Sequence, residues 1–217
     1  MTGKTKELTV LGKNMLFMNQ RCKEWTHPYA YQDDEDLASA GCGIFSLCHA
    51  AEWLTGVRQD PAYWADFSCA NGGRGDDGTD RPALLAALMA SGDAGKLGFR
   101  YDGDGLRNDL DPLFDGLLNG KCVAMCNLRV GHIVALVAAR NVDGERQVLA
   151  IDSYSESGSD KVKSGVREVI EGTEIDFPIR NERGLEVGHA THYGAFWVKL
   201  EQVRDYNMMH VAEVCHE

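Results

Sequence analysis

The sequence predicts an α+β fold, helical in its first half and built on an antiparallel sheet after that. Two patterns carry this expectation. From residue 44 to about residue 120, apolar side chains recur at helical spacing between Gly- and Asp-rich breaks. From residue 121 onward, runs rich in Val, Ile, Ala and Leu are separated by turn residues. Helices and strands are thus segregated along the chain rather than alternating. No repeat or linker divides the chain, so a single domain over residues 1–217 is expected.

Taken in order, residues 7–20 (ELTVLGKNMLFMNQ) read as a strand or short helix, and 26–41 (THPYAYQDDEDLASAG) as an acidic loop. Ile44, Phe45, Leu47, Cys48, Ala51 and Leu54 then mark a helix that Gly56 stops. Pro61 opens a second helix, PAYWADFSCANGG. The acidic GGRGDDGTD, with no lysine after it, reads as a rim or substrate-flanking loop rather than a phosphate cradle. A third helix starts near Arg81, and a fourth, GLRNDLDPLFDGLLNG, is interrupted by Pro112. The aromatics Trp53, Tyr63, Trp64 and Phe67 are expected to fill the core. KCVAMCNL, GHIVALVAARN and RQVLAIDSY read as consecutive antiparallel strands, with a turn at Asp143 and Gly144. Residues 155–192 are polar, with one strand expected at VREVIEG, and YGAFWVKL is expected to close the sheet.

The formal net charge of −11 argues against nucleic acid as a main partner and against an anionic membrane surface. No apolar run approaches the roughly 20 residues of a membrane span. The N-terminal MTGKTKELTV lacks the pattern of a secretory signal, so a cytoplasmic location is expected. The seven cysteines are odd in number, which in that compartment favours reduced thiols. Cys122 and Cys126 read as two thiols on one strand face rather than a metal pair. His189 and His192 lie in HATHY, between Gly188 and Gly194, and read as loop residues. No metal or other cofactor is predicted.

One stretch invites chemistry. In LASAGCGIFSLCHA, Cys42 stands between Gly41 and Gly43 at the mouth of the first helix. A buried thiol would satisfy packing, but packing does not explain a glycine on each side. A helix N-terminus instead favours thiolate. Such a nucleophile needs a base, and the base needs an orienting group. His132 opens a buried strand and Asp152 ends the next, so a hairpin turning at Asp143–Gly144 makes them neighbours. Together they read as a Cys-His-Asp arrangement. Cys48 reads as core, and His49 as facing solvent or a satisfied contact.

The ordered set of GCG at a helix start, G-H opening a strand and I-D closing the next resembles the papain-like cysteine peptidases. Within them it is similar to the branch of bacterial double-glycine leader peptidases and their stand-alone relatives. HPYAYQ, WADFSCANGG with GTD, LLNGKCVAMCNLRVGH and YGAFWVKL extend the likeness over residues 27–200. The resemblance implies Cys42 as nucleophile, His132 as general base, Asp152 as orienter and Gln32 as an oxyanion amide beside the backbone N–H of Cys42. It implies hydrolysis of a peptide or isopeptide substrate through an acyl-thioenzyme. Alternatives on the same cleft are acyl transfer or amidase chemistry, or a silent relative that binds a peptide or partner.

Overall fold

The computed structural model describes residues 4–32, 34–128, 132–153, 169–180, 183 and 185–212. The chain begins with an antiparallel hairpin, β1 (Thr5–Val10) and β2 (Lys13–Met18). Leu11 and Gly12, both with positive φ, make its turn. The first segment is therefore two strands, and alternate residues Leu8, Val10, Met15 and Phe17 are buried. An irregular stretch leads to a single turn, α1 (Leu37–Ala40), closed by a capping box between Asp36 and Ser39.

Helix α2 (Cys42–Thr55) ends at left-handed Gly56, as expected. Helix α3 (Pro61–Ala70) has Asp60 as its N-cap and Pro61 in its first turn. A two-stranded ribbon follows, β3 (Arg74–Gly75) and β4 (Gly78–Thr79). Asp80 then caps α4 (Arg81–Ser91), which runs on to the short α5 (Asp93–Lys96) and β5 (Phe99–Arg100). Helix α6 (Leu110–Leu118) contains Pro112 without being broken by it. Pro112 lies in the first turn, where an N–H has no intrahelical acceptor to lose.

The sheet comprises β5, β6 (Cys122–Leu128), β7 (Ile133–Val142), β8 (Glu145–Ile151), β9 (Glu171–Arg180), β10 (Glu186–Lys199) and β11 (Val203–Val211). Its order is β5-β11-β6-β7-β8-β10-β9, and every pair is antiparallel. The β7–β8 turn falls at Asp143 and Gly144, both left-handed. Two expectations fail here. β9 and β10 pair antiparallel along their length, so YGAFWVK is only the second half of β10, and His189 lies in a strand rather than a loop. The chain then returns as β11 between β5 and β6. Polar Asp205, Asn207 and His210 hid that strand, because they interrupt its apolar run. Gly131, residues 166–168 of the expected strand, the His192 side chain and Cys215 lie outside the described residues.

Both faces of the sheet are covered. On one, Val123, Met125, Ala135, Val137, Leu149, Ile151 and Trp197 pack with Ile44, Phe45, Leu47 and Cys48 of α2. On the other, Ala124, Cys126, Val134, Leu136, Val148 and Ala150 pack against Leu113, Phe114 and Leu117 of α6. Burial on both sides is why β6, β7 and β8 read as near-continuous apolar runs. Each fully buried Leu, Ile or Phe contributes about 1.5–3 kcal/mol. Helix α2 is the centre of this packing, with Gly43 through Glu52 all buried. Of the four aromatics expected inside, Trp64 is buried and Trp53 and Phe67 are half-buried, whereas Tyr63 is exposed on the outer side of α3. Among the described residues, no helix is long and apolar enough to cross a membrane.

Candidate active site

Three element ends meet at one point. Cys42 is the first residue of α2, His132 immediately precedes β7, and Asp152 immediately follows β8. Antiparallel pairing of Ala135 with Ile151 sets His132 beside Asp152. The result is a hydrogen bond of 2.7 Å between His132 Nε2 and Asp152 Oδ1, with the carboxylate fully buried and the imidazole nearly so. Helix α2 packs along β7 and brings the Cys42 thiol to the imidazole, which hydrogen-bonds it. With Nε2 held by Asp152, Nδ1 is the nitrogen left for the sulfur.

Electrostatics separates Cys42 from the other thiols. Burial pushes its thiol up. The hydrogen bond and charge of His132, with backbone N–H groups of Ile133 and Gly43, outweigh that and hold it below the ordinary value. Burial pushes Cys22, Cys48, Cys69, Cys122 and Cys126 the other way, Cys122 to about 12. For His132, burial lowers the imidazole, but the charge and hydrogen bond of Asp152, and then those of Cys42, raise it overall. Among the described residues, Cys42 is the one cysteine held toward thiolate.

The flanking glycines do have a packing reason, contrary to the sequence argument. A Cβ on Gly41 would come within 2.4 Å of the Leu37 carbonyl oxygen, and one on Gly43 within 2.3 Å of Thr79 Oγ1. Both are positions of close approach. Gly43 lets β4 press against the start of α2, where Thr79 also bonds Tyr29 Oη at 2.8 Å. The GGRGDDGTD segment thereby becomes the wall of a cleft of about 730 Å³ that Cys42 lines with Gly75 to Pro82, Leu106, Asn127, Ile133 and Arg204. Its place at the rim of the cleft is the position expected from the sequence. Buried Arg74 stiffens the ribbon from beneath, with Nε donating to the Tyr29 carbonyl at 3.0 Å and a terminal nitrogen to Glu35 at 2.6 Å.

Gln32 is not brought to this point. It is exposed, left-handed at φ 59°, and does not line the cleft. Two other polar residues support the site. Gln20 is buried, donates its backbone N–H to the Ser153 carbonyl at 2.9 Å, accepts from Ser153 Oγ at 3.2 Å, and reaches the Ala38 carbonyl at 3.4 Å. It therefore links the residue after Asp152 to the turn before Cys42. Ser46 Oγ lies 2.8 Å from the Cys42 carbonyl and 3.0 Å from the Ile133 carbonyl, which fastens α2 to the start of β7. Ser46 had a signal, since a residue four after Cys42 shares its helical face. Gln20 had none, because its partners are distant in sequence. Among the described residues, no three His, Cys, Asp or Glu side chains are grouped to hold a metal ion.

Compared with family models, curated proteins and solved structures, the chain finds no match.

Proposed function

We propose that this chain is a papain-like cysteine hydrolase that cleaves peptide or amide bonds through an acyl-thioenzyme. The observation that carries this reading is the run from Cys42 through His132 to Asp152. It joins a thiol held toward thiolate, an imidazole in hydrogen bond with it, and a buried carboxylate 2.7 Å from the far nitrogen. The thiolate attacks the acyl carbon and forms the S–C bond. The backbone N–H of Cys42, at the start of α2, is the donor offered to the developing oxyanion, contributing about 3 kcal/mol. The tetrahedral species collapses, the C–N bond breaks, and His132 gives its proton to the leaving amine. Neutral His132 then takes a proton from water, the hydroxide attacks the thioester, and thiolate and imidazolium are restored. Asp152 holds the ring in orientation throughout.

The test is alkylation of the native protein with substoichiometric iodoacetamide at pH 6, mapped over all the cysteines, followed by a peptide-hydrolysis screen. Rapid labelling confined to Cys42, and lost in His132→Ala, is expected. If Cys42 labels no faster than exposed Cys69, the thiolate–imidazolium reading falls. Rapid labelling without hydrolysis of any peptide favours a silent relative that uses the cleft for binding.

A further inference from the structure

The walls of the Cys42 cleft are not electrically balanced. Its two guanidinium groups are already engaged. Arg81 pairs with Asp205 and donates to the Met125 carbonyl at 2.9 Å, and Arg204 Nε lies 2.8 Å from the same Asp205. Asp205 also accepts from Asn127 at 3.1 Å. Asp80 is occupied as the N-cap of α4. Asp76 and Asp77 differ. They form the two-residue loop between paired Gly75 and Gly78, both are exposed, and neither side chain has an ion pair or hydrogen bond to a described residue. Their ribbon is braced by Arg74 and by the Thr79–Tyr29 bond, so the backbone that carries the two carboxylates is fixed beside the cleft. The same cleft offers apolar surface from Pro82, Leu106 and Ile133. Carboxylates without protein cations, set beside apolar wall in one cleft, match a side chain with a methylene stem and a cationic head.

We infer that the Cys42 cleft selects acyl substrates carrying a lysine or arginine side chain next to the bond attacked, with Asp76 and Asp77 receiving its charge. This rests on the hydrolase reading above. It makes Asp76 and Asp77 specificity residues that play no part in bond cleavage. The experiment uses the full chain and two readouts. The first is the rate of Cys42 modification by three methanethiosulfonates whose tails are cationic (trimethylammonium), neutral and anionic (sulfonate). The second is hydrolysis of a quenched peptide library varied through Lys, Arg, Leu and Glu on each side of the cleaved bond. The cationic reagent should outpace the anionic one by roughly tenfold at low salt, a ratio that Asp76→Asn with Asp77→Asn, or about 0.5 M salt, brings toward one. Lys and Arg peptides should lose their advantage over Leu peptides in that double variant. Rapid but equal modification by all three reagents, or a Leu or Glu preference that the double variant leaves unchanged, overturns this inference alone. Modification no faster than at Cys69 with every reagent overturns the hydrolase reading and this one with it. Charge-selective modification without turnover retains the cationic ligand but removes the hydrolysis.

Discussion

On the proposed hydrolase reading, the groups that touch the Cys42 sulfur set its reactivity and the first expected outcomes. The thiol lies below its ordinary value and His132 above its own, so the pair is biased toward thiolate and imidazolium. Activity should rise as the thiolate forms, below the ordinary thiol range, and fall as His132 loses its proton, above the ordinary histidine range. In Asp152→Asn the imidazole loses the charge that raises it. The alkaline limb should then move to lower pH and the alkylation midpoint to higher pH, with turnover down at least about a hundredfold. Ser46→Ala breaks the tie between α2 and the start of β7. It should reduce stability by about 1 kcal/mol in urea titration. If Ser46 positions the thiol, the midpoint of Cys42 alkylation also moves upward, which a purely structural loss would not cause. Gly43→Ala places a methyl group against Thr79. A cost of about 1–3 kcal/mol is expected from the same titration.

At the scale of elements, α2 does two jobs from opposite ends of one helix. Its first turn holds the site. Its third turn holds the β1–β2 hairpin, which forms a separate two-stranded sheet beside the larger one. There Glu52 Oε1 accepts the Leu16 N–H at 2.8 Å, and His49 Nε2 accepts the Met18 N–H at 3.1 Å. His49 is thus fully buried and stacks on Phe17 at 5.9 Å, which excludes the solvent-facing reading, while its buried Nδ1 finds no hydrogen-bond partner among the described residues. Burial pushes its imidazole down to about 3. The unfolded chain therefore takes up this proton first, near pH 6.5, and stability should fall as pH drops from there toward 3. Urea midpoints at pH 7 and pH 4.5 check this: wild type should lose more than His49→Gln over that interval. In His49→Phe the Met18 N–H is left buried without an acceptor, at a cost of about 1–3 kcal/mol.

Across the whole molecule, the candidate site is a seam between the helical layer and the sheet. Cys42 comes from one side, and His132 and Asp152 from the other. Arg81 crosses the same seam from the start of α4 to β6 and β11, almost wholly buried. Arg81→Met keeps the stem but removes the charge facing Asp205 and the donor to Met125. A loss of about 3 kcal/mol is expected, read as a lower unfolding midpoint in calorimetry.

Local chemistry made much of this legible in the sequence. The start of α2 at Cys42, its stop at Gly56, the helix starts at Pro61 and near Arg81, and the turn at Asp143–Gly144 all follow from residues close to one another. Because a hairpin's register follows from its turn, even the meeting of His132 with Asp152 could be read there. Strand β11 could not, since a strand near the sheet edge that carries Asp205 and Asn207 depends on partners from distant segments. The same holds for Gln20 beneath Ser153, for Thr79 against Gly43, and for Gln32, which resemblance sent to the site and the fold left on an exposed loop. Sequence determines what a chain does within a few residues of itself. Which glycine is a point of close contact, and which carboxylates have no ion-pair partner, is decided only when distant segments pack.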